Sequence, residues 1–335
     1  MKVDAYLNSD LDTAGAEARE LEEMGYDGLK SIETAHDPFL PLLLAAQSTT
    51  KIELTTGIAV AFARSPMTLA NVGHDLNAAS RGRFVLGLGS QIRPHITKRF
   101  SMPWSSPAAR MREMILAMRA IWACWHQGEP LEFLGKFYTH TLMTPFFTPT
   151  NNEYAAPKVY LAAVGPLMSE VAGEVADGLL VHGFTTQAYL ENVTMPALER
   201  GFAKAGKSRA EFEIVYPVFS IMGRDEEEIA AETIKMRQQV AFYGSTPAYK
   251  PVLDSIDAGE LQPELNAMSK QGRWEAMGEL IGDDVLEKFA VQGDAAEIAQ
   301  QIKTRYGHIA DRTAVSYATL DREERIAFIA AMRSA

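Results

Sequence analysis

Residues 159–183 read VYLAAVGPLMSEVAGEVADGLLVHG, and the fold follows from this stretch. Val159-Tyr160-Leu161-Ala162-Ala163 is a short apolar run of strand formers, and Gly165 opens a turn. Pro166 stands at a first helical position, where its missing N–H costs nothing. Leu167, Val171 and Val175 recur every four residues, one apolar face of a short helix. Asp177-Gly178 ends it, and Leu179-Leu180-Val181 is the next buried strand. Such a unit aims free backbone N–H groups and the positive end of a helix dipole at the carboxyl ends of the strands. An anion, in particular a phosphate, belongs there.

Working outward, strand and helix patterns alternate almost throughout. Strands are expected at Val3–Leu7, Gly28–Ile32, Ile52–Val60 and Phe84–Leu88, then the two of the opening unit, then Phe212–Met222 and Ala314–Ala318. Helices are expected at Thr13–Met24, Phe39–Thr49, Pro66–Ala79, Pro107–His126, Gln187–Ala205, Asp225–Phe242 and Ala295–Tyr306. Alternation of this kind means right-handed parallel crossovers. Eight such strands predict one α/β domain over residues 1–335, a closed eight-stranded parallel (β/α)8 TIM barrel. Insertions interrupt it at about 131–157 and 243–290. The first, around LEFLGKFYTHTLMTPFFTPT, reads as a hairpin turning at Gly135-Lys136. The second carries several glycines and prolines and a short helix around Trp274–Ile281, too long for a barrel connection.

Composition narrows the function. Of 335 residues, 47% are hydrophobic and 22% charged, enough for a sizeable core. A net charge of −11 argues against nucleic acid or an anionic membrane as partner. Cys124 is the single cysteine, so no internal disulfide forms, and its apolar helix predicts a structural thiol. The start, MKVDAYLNSD, has no charged-then-apolar leader, and no apolar run nears the ~20 residues of a membrane helix. A cytoplasmic protein is expected.

In a barrel of this class the site is built at the carboxyl ends of the strands. Asn8, His36, Ala59 to Arg64, Ser90 to His95, Gly165 to Met168 and His182 to Phe184 fall there. Tyr6-Leu7-Asn8-Ser9-Asp10 lacks the paired histidines of a barrel metal hydrolase, and no catalytic metal is expected. There is no Gly-x-Ser-x-Gly elbow and no Walker-type loop. Gly87-Leu88-Gly89-Ser90-Gln91 has two glycines but not a third, which points to close backbone approach to a flat ligand. Phe62, Trp104, Phe146, Phe147, Tyr243 and Tyr249 lie on predicted loops or insertions. They make either an aromatic-lined substrate pocket or hairpin packing.

Three segments, SRGRFVLGLGSQ, AAVGPLMSEVAGEVADGLLV and TTGIAVAFARSP, together resemble the bacterial luciferase-like flavin and deazaflavin oxidoreductases. RMREMILAMRAIW and FAVQGDAAEIAQQI extend the resemblance over nearly the whole chain, closest to the coenzyme F420-dependent members. The resemblance implies an eight-stranded α/β barrel, a homodimer, and a cofactor at the mouth. It assigns the cofactor phosphate to Gly165, Pro166, Leu167 and Met168. It places Gly57, Ile58 and Ala59 where relatives carry a non-proline cis peptide that props the ring, with Gly89, Ser90 and Gln91 beside them. His36 matches a histidine that follows strand two in relatives, although the family's Asp-His is here Ala35-His36-Asp37. A carboxylate proton donor after strand four has no match among Gln91, Ile92, Arg93 and Pro94, leaving His95 as the nearest titratable group.

The function so implied is an F420-dependent oxidoreductase transferring a hydride to or from a small organic substrate, with His36 or His95 as proton carrier. The F420 tail carries several carboxylates, which Arg93, Lys98 and Arg99 would meet; a solvated charge cluster is the plainer account of those three. The alternatives are an FMN-dependent monooxygenase and a non-catalytic flavin-binding relative. A homodimer is expected to form through outer helices, because Phe39–Ala46 and Leu69–Ala79 are very apolar for surface segments.

Overall fold

Parallel strands β1 (Lys2–Tyr6), β2 (Gly28–Ser31), β3 (Glu53–Thr56), β4 (Phe84–Gly89), β5 (Lys158–Ala163), β6 (Gly178–Val181), β7 (Glu213–Pro217) and β8 (Arg312–Ala314) close on themselves. The computed structural model describes residues 1–315 and 320–334. Each strand pairs in parallel with the next, and Lys2 opposite Arg312 seals β1 to β8. This is the expected α/β TIM barrel.

Several boundaries differ from the sequence expectation. Ile52–Val60 is two pieces: β3 ends at Thr56, and Ala59–Val60 resumes against the end of β4. Phe212–Met222 likewise breaks after Pro217, which has no N–H to give a ladder. Phe219–Ile221 then pairs with Ala290–Gln292 in a small sheet beside the barrel. The eighth strand begins earlier than expected, at Arg312, and residues 316–318 of the expected span lie outside the described residues. The helix expected at Gln187–Ala205 widens into a π-type turn at Leu190–Thr194 before continuing as Met195–Ala205.

Alternation along the strands sorts side chains to two sides. Val3, Leu29, Leu54, Leu86, Leu161, Leu179 and Ile214 pack in the main core, against the surrounding helices. Val85, Tyr160, Leu180 and Val215 form a separate cluster with Ile58 and Ala162. Towards the strand starts lies a charged layer: Asp4 takes Lys30 at 3.1 Å and Arg312 at 2.6 Å, and Arg312 also reaches Glu53 at 2.7 Å. Burial alone would raise the Asp4 carboxyl, but Lys30 and Arg312 outweigh it and hold Asp4 below its ordinary value. Removing one member of such a buried set leaves the others uncompensated, at about 3–5 kcal/mol.

The first insertion is a hairpin, Phe133–Leu134 against Thr139–His140. Its turn closes on Glu113, whose carboxylate accepts the amides of Lys136, Phe137 and Tyr138. A Cβ on Gly135 would fall 2.1 Å from Glu113 Oε1 and 2.9 Å from the Tyr138 carbonyl oxygen, so a side chain there would push the carboxylate off the turn. The second insertion is more helical than expected, with Lys250–Asp254, Leu261–Lys270, Trp274–Gly278 and Asp283–Phe289. These build a second core around Phe184, Val240, Leu253, Leu265 and Phe289. The apolar excess read into Leu69–Ala79 has an internal cause: Leu69, Ala70, Gly73 and Leu76 are buried within the chain itself. Leu40 and Leu43 do remain exposed. None of the described helices is long and apolar enough to cross a membrane.

Candidate active site at the barrel mouth

The ends of β3, β4 and β5 bring together most of the residues singled out in the sequence. The Gly57–Ile58 peptide is cis. The Gly57 amide donates to the Ser31 carbonyl at 2.7 Å, and Ala59 and Val60 then pair with Leu88 and Gly89. A Cβ on Gly89 would lie 2.9 Å from the Ile58 side chain, so the bare backbone there admits the isoleucine. Just below, a Cβ on Gly87 would fall 1.8 Å from the Thr56 carbonyl oxygen. Thr56 Oγ1 both donates to the Gly87 carbonyl and accepts its amide, fastening the two strands. These glycines serve close approach. Gln91, next in chain, has φ 58°, and its side chain accepts the Ile92 amide at 2.9 Å.

The third strand end is the turn into helix Pro166–Val175. Gly165 caps this helix at φ −82° and ψ 159°, extended values that any residue adopts, so turn geometry does not demand glycine. Space does the work instead. A Cβ on Gly165 would meet nothing within 4 Å, and no side chain caps the helix. The amides of Leu167 and Met168 therefore open the first turn without an intramolecular cap. Gly165, Pro166 and Leu167 are exposed and Met168 is half-buried. A clear approach, unpaired amides and the helix dipole fit a phosphate. The residues present thus fit a flavin-type cofactor lying from the cis segment to this turn.

One carboxylate at this site carried no signal in the sequence beyond its place after β2. Glu33 is buried, donates its amide to the Ile58 carbonyl at 3.3 Å, and accepts the Val60 amide on its carboxylate at 2.7 Å. Arg64 completes the group, reaching Glu33 at 2.7 Å and Asp37 at 3.1 Å. The cis segment is thus held from both ends by a single residue.

The two histidines expected to be catalytic, His36 and His95, are both exposed, and neither ring has a hydrogen-bond partner among the described residues. His95 opens a wide turn, His95–Arg99. Arg99 donates to the Thr34 carbonyl and lies over the Phe100 ring at 4.9 Å, tying the loop after β4 to the loop bearing His36. All three of the basic trio are exposed and without an ion pair among the described residues, but Arg99 is committed to the Thr34 carbonyl, whereas Arg93 and Lys98 are not so held.

The remaining wall is aromatic, and His182 is its centre. It follows β6 directly, and its ring stands 4.7 Å from Tyr243 and 5.2 Å from Tyr249. The Phe184 amide donates to Nδ1 at 3.0 Å. Burial pushes the imidazole down to about 4, which keeps it neutral. Tyr6, ending β1, retains 38% of its surface at the barrel mouth. Burial, Asp4 and the neighbouring Tyr243 push its hydroxyl up to about 12. The sequence places His182 at this face but points to His36 and His95 as proton carriers. The other expected aromatics divide: Phe62 is fully buried over Trp104 at 5.7 Å, while Phe146 and Phe147 are 89% and 71% exposed on the insertion.

One cavity of about 340 Å³ lies against Phe242, Trp274 and the far side of the aromatic wall at Tyr243, and another of about 390 Å³ lies against Arg119, Trp122 and His126. Neither includes Gly57, Gly89 or Gly165. The strand ends, where barrels of this class place their sites, locate the mouth more reliably than cavity size does.

An uncharacterized protein of Mycobacterium tuberculosis is 52% identical over 312 residues, covering 93% of this chain and 92% of its own. The 5,10-methylenetetrahydromethanopterin reductase of Methanopyrus kandleri is 28% identical over 277 residues, covering 78% and 76%. The solved coenzyme F420 dependent tetrahydromethanopterin reductase of the same organism superposes with a TM-score of 0.77 at 21% identity, covering 98% and 96%. The model of one family matches residues 2–312, so that the chain with the cis segment and open phosphate turn belongs to the luciferase-like monooxygenase family.

Proposed function

We propose that the protein is an F420-dependent oxidoreductase that exchanges a hydride between the deazaflavin and a small organic substrate. The observation that carries the reading is the open helix N-terminus at Gly165, two strand positions from the cis Gly57–Ile58 segment. When bound, the deazaflavin supplies a ring carbon that gives or takes hydride. Leu167 and Met168 hold its phosphate through their amides. Gly57, Ile58, Ala59, Gly89, Ser90 and Gln91 present backbone and small side chains to the ring. His36 and His95, both exposed at this rim, are the groups placed to carry a proton to or from solvent. Arg93 and Lys98 are free to meet the carboxylates of the cofactor tail. The reductase relatives lend weight to F420 over FMN.

A second reading takes FMN as cofactor and a monooxygenase reaction, favoured by the description of the family itself. The phosphate turn and cis segment serve either cofactor; only the tail-directed cations separate them. Titrating F420 and FMN into the protein, followed by each cofactor's fluorescence, tests the proposal. Tighter binding of F420 supports it, and equal or tighter binding of FMN transfers the site to the second reading.

A further inference from the structure

The mouth has two unlike sides. β3, β4 and β5 offer glycines and amides, whereas the ends of β1 and β6 offer Tyr6 and His182 under Tyr243 and Tyr249. Tyr243 joins them, its ring against His182 and its phenol near Tyr6. Phe219 continues the wall, 6.3 Å from Tyr243 and nearly parallel. We infer that this aromatic side receives the substrate, and that His182 Nε2–H is the donor that fixes the acceptor oxygen of an uncharged carbonyl compound with an apolar body.

Three observations lead there. First, the Phe184 amide occupies Nδ1, so the proton of the neutral ring resides on Nε2, for which the described residues provide no partner. Second, burial is the sole cause of the fall in the His182 value to about 4, so the ring donates without becoming charged in the working range. The Tyr6 and Tyr249 hydroxyls, both pushed up to about 12 by burial first of all, likewise stay neutral. Third, no ion pair or hydrogen bond from a charged side chain reaches His182, Tyr243 or Tyr249 among the described residues. The charges beneath Tyr6 are already paired, since Asp4 is committed to Lys30 and Arg312. A carboxylate or phosphate entering this wall would lose water without finding a cation, whereas aromatic edges repay an apolar body and one donor repays one acceptor.

The inference rests on the cofactor reading above, and the test keeps them apart. Protein labelled with 15N-histidine is titrated with cyclohexanone and, separately, with cyclohexanecarboxylate, with and without F420. His182→Phe keeps a ring and removes the donor; His182→Gln returns a donor near Nε2. Cyclohexanone should move the His182 Nε2 resonance, and the carboxylate at equal concentration should not. His182→Phe should raise KM for the ketone about 3–10-fold, the worth of one neutral hydrogen bond, with F420 affinity unchanged, and His182→Gln should recover most of the loss. The inference is overturned if cyclohexanone leaves that resonance in place, if the carboxylate binds equally well, or if His182→Phe binds ketone like the wild type. Should His182→Phe fail to fold, the wild-type resonance and His182→Gln still decide. Loss of F420 binding with the ketone response intact would remove the cofactor reading and leave this wall standing.

Discussion

The Glu33 carboxylate accepts the Val60 amide at 2.7 Å while the Glu33 amide donates to the Ile58 carbonyl at 3.3 Å, so one buried residue of the loop after β2 brackets the cis segment. Arg64 neutralises that carboxylate at 2.7 Å. Glu33→Ala should therefore destabilise the fold by about 2–4 kcal/mol, since a buried amide and a half-buried guanidinium lose their partner together. Cofactor affinity should fall with it. Denaturant unfolding checks the first and cofactor titration the second; a variant as stable as the wild type contradicts the bracketing role.

Gly165→Val isolates the phosphate turn. The backbone there already has extended angles, and a Cβ meets nothing within 4 Å, so the variant should keep its melting behaviour. The added methyl groups would stand in the approach to the Leu167 and Met168 amides. Affinity for F420 and for FMN alike should drop about tenfold or more, the scale of one charge-assisted hydrogen bond. Unchanged affinity in a well-folded variant removes the turn from the site.

Arg93→Gln with Lys98→Gln should weaken F420 binding and leave FMN binding alone. Exposed pairs contribute only ~0–1 kcal/mol each, so the loss should be a few-fold and should vanish at high salt in the wild type. Arg99 is a different case: committed to the Thr34 carbonyl, it should affect loop order rather than tail recognition. Equal loss for both cofactors would mean that the cations act on the phosphate or on the loop, not on the tail.

His182 makes a pH signature. Its folded value, about 4, lies below the ~6.5 of a free imidazole, so the unfolded chain takes up the proton first as pH falls. The stability associated with the neutral ring is full above ~6.5 and is lost as pH falls from there towards 4. His182→Gln has no such proton and should show a shallower decline across that window in chemical denaturation. Parallel declines in the two proteins would mean that the ring titrates normally.

Much of this was legible in the chain because it is local. Alternating apolar periods in 159–183 and along the remainder specify a parallel barrel, and the Gly-Pro turn marks the start of the helix at Pro166. What escaped depends on tertiary contact. Glu33 is an ordinary carboxylate in sequence, and only the return of Val60 to its side shows why it is buried. His182 acquires its surroundings from Tyr243 and Tyr249, supplied by a helix end and an insertion about 60 residues downstream. The strand breaks differ in this respect: Pro217 is a visible interruption because it has no N–H for the ladder, whereas the break at Gly57 shows only in the return of Ala59 and Val60 to Leu88 and Gly89. Gly165 opens its turn with extended backbone angles and with nothing within 4 Å of where a Cβ would stand, which only the folded surroundings reveal.

A crystal structure of the protein grown with F420 and FMN together tests the central claim most directly. The account predicts F420 in the mouth, its phosphate against the Leu167 and Met168 amides, its ring beside Gly57 and Ile58, and its tail towards Arg93 and Lys98. FMN in that place, or a deazaflavin phosphate bound away from the Gly165 turn, would contradict it.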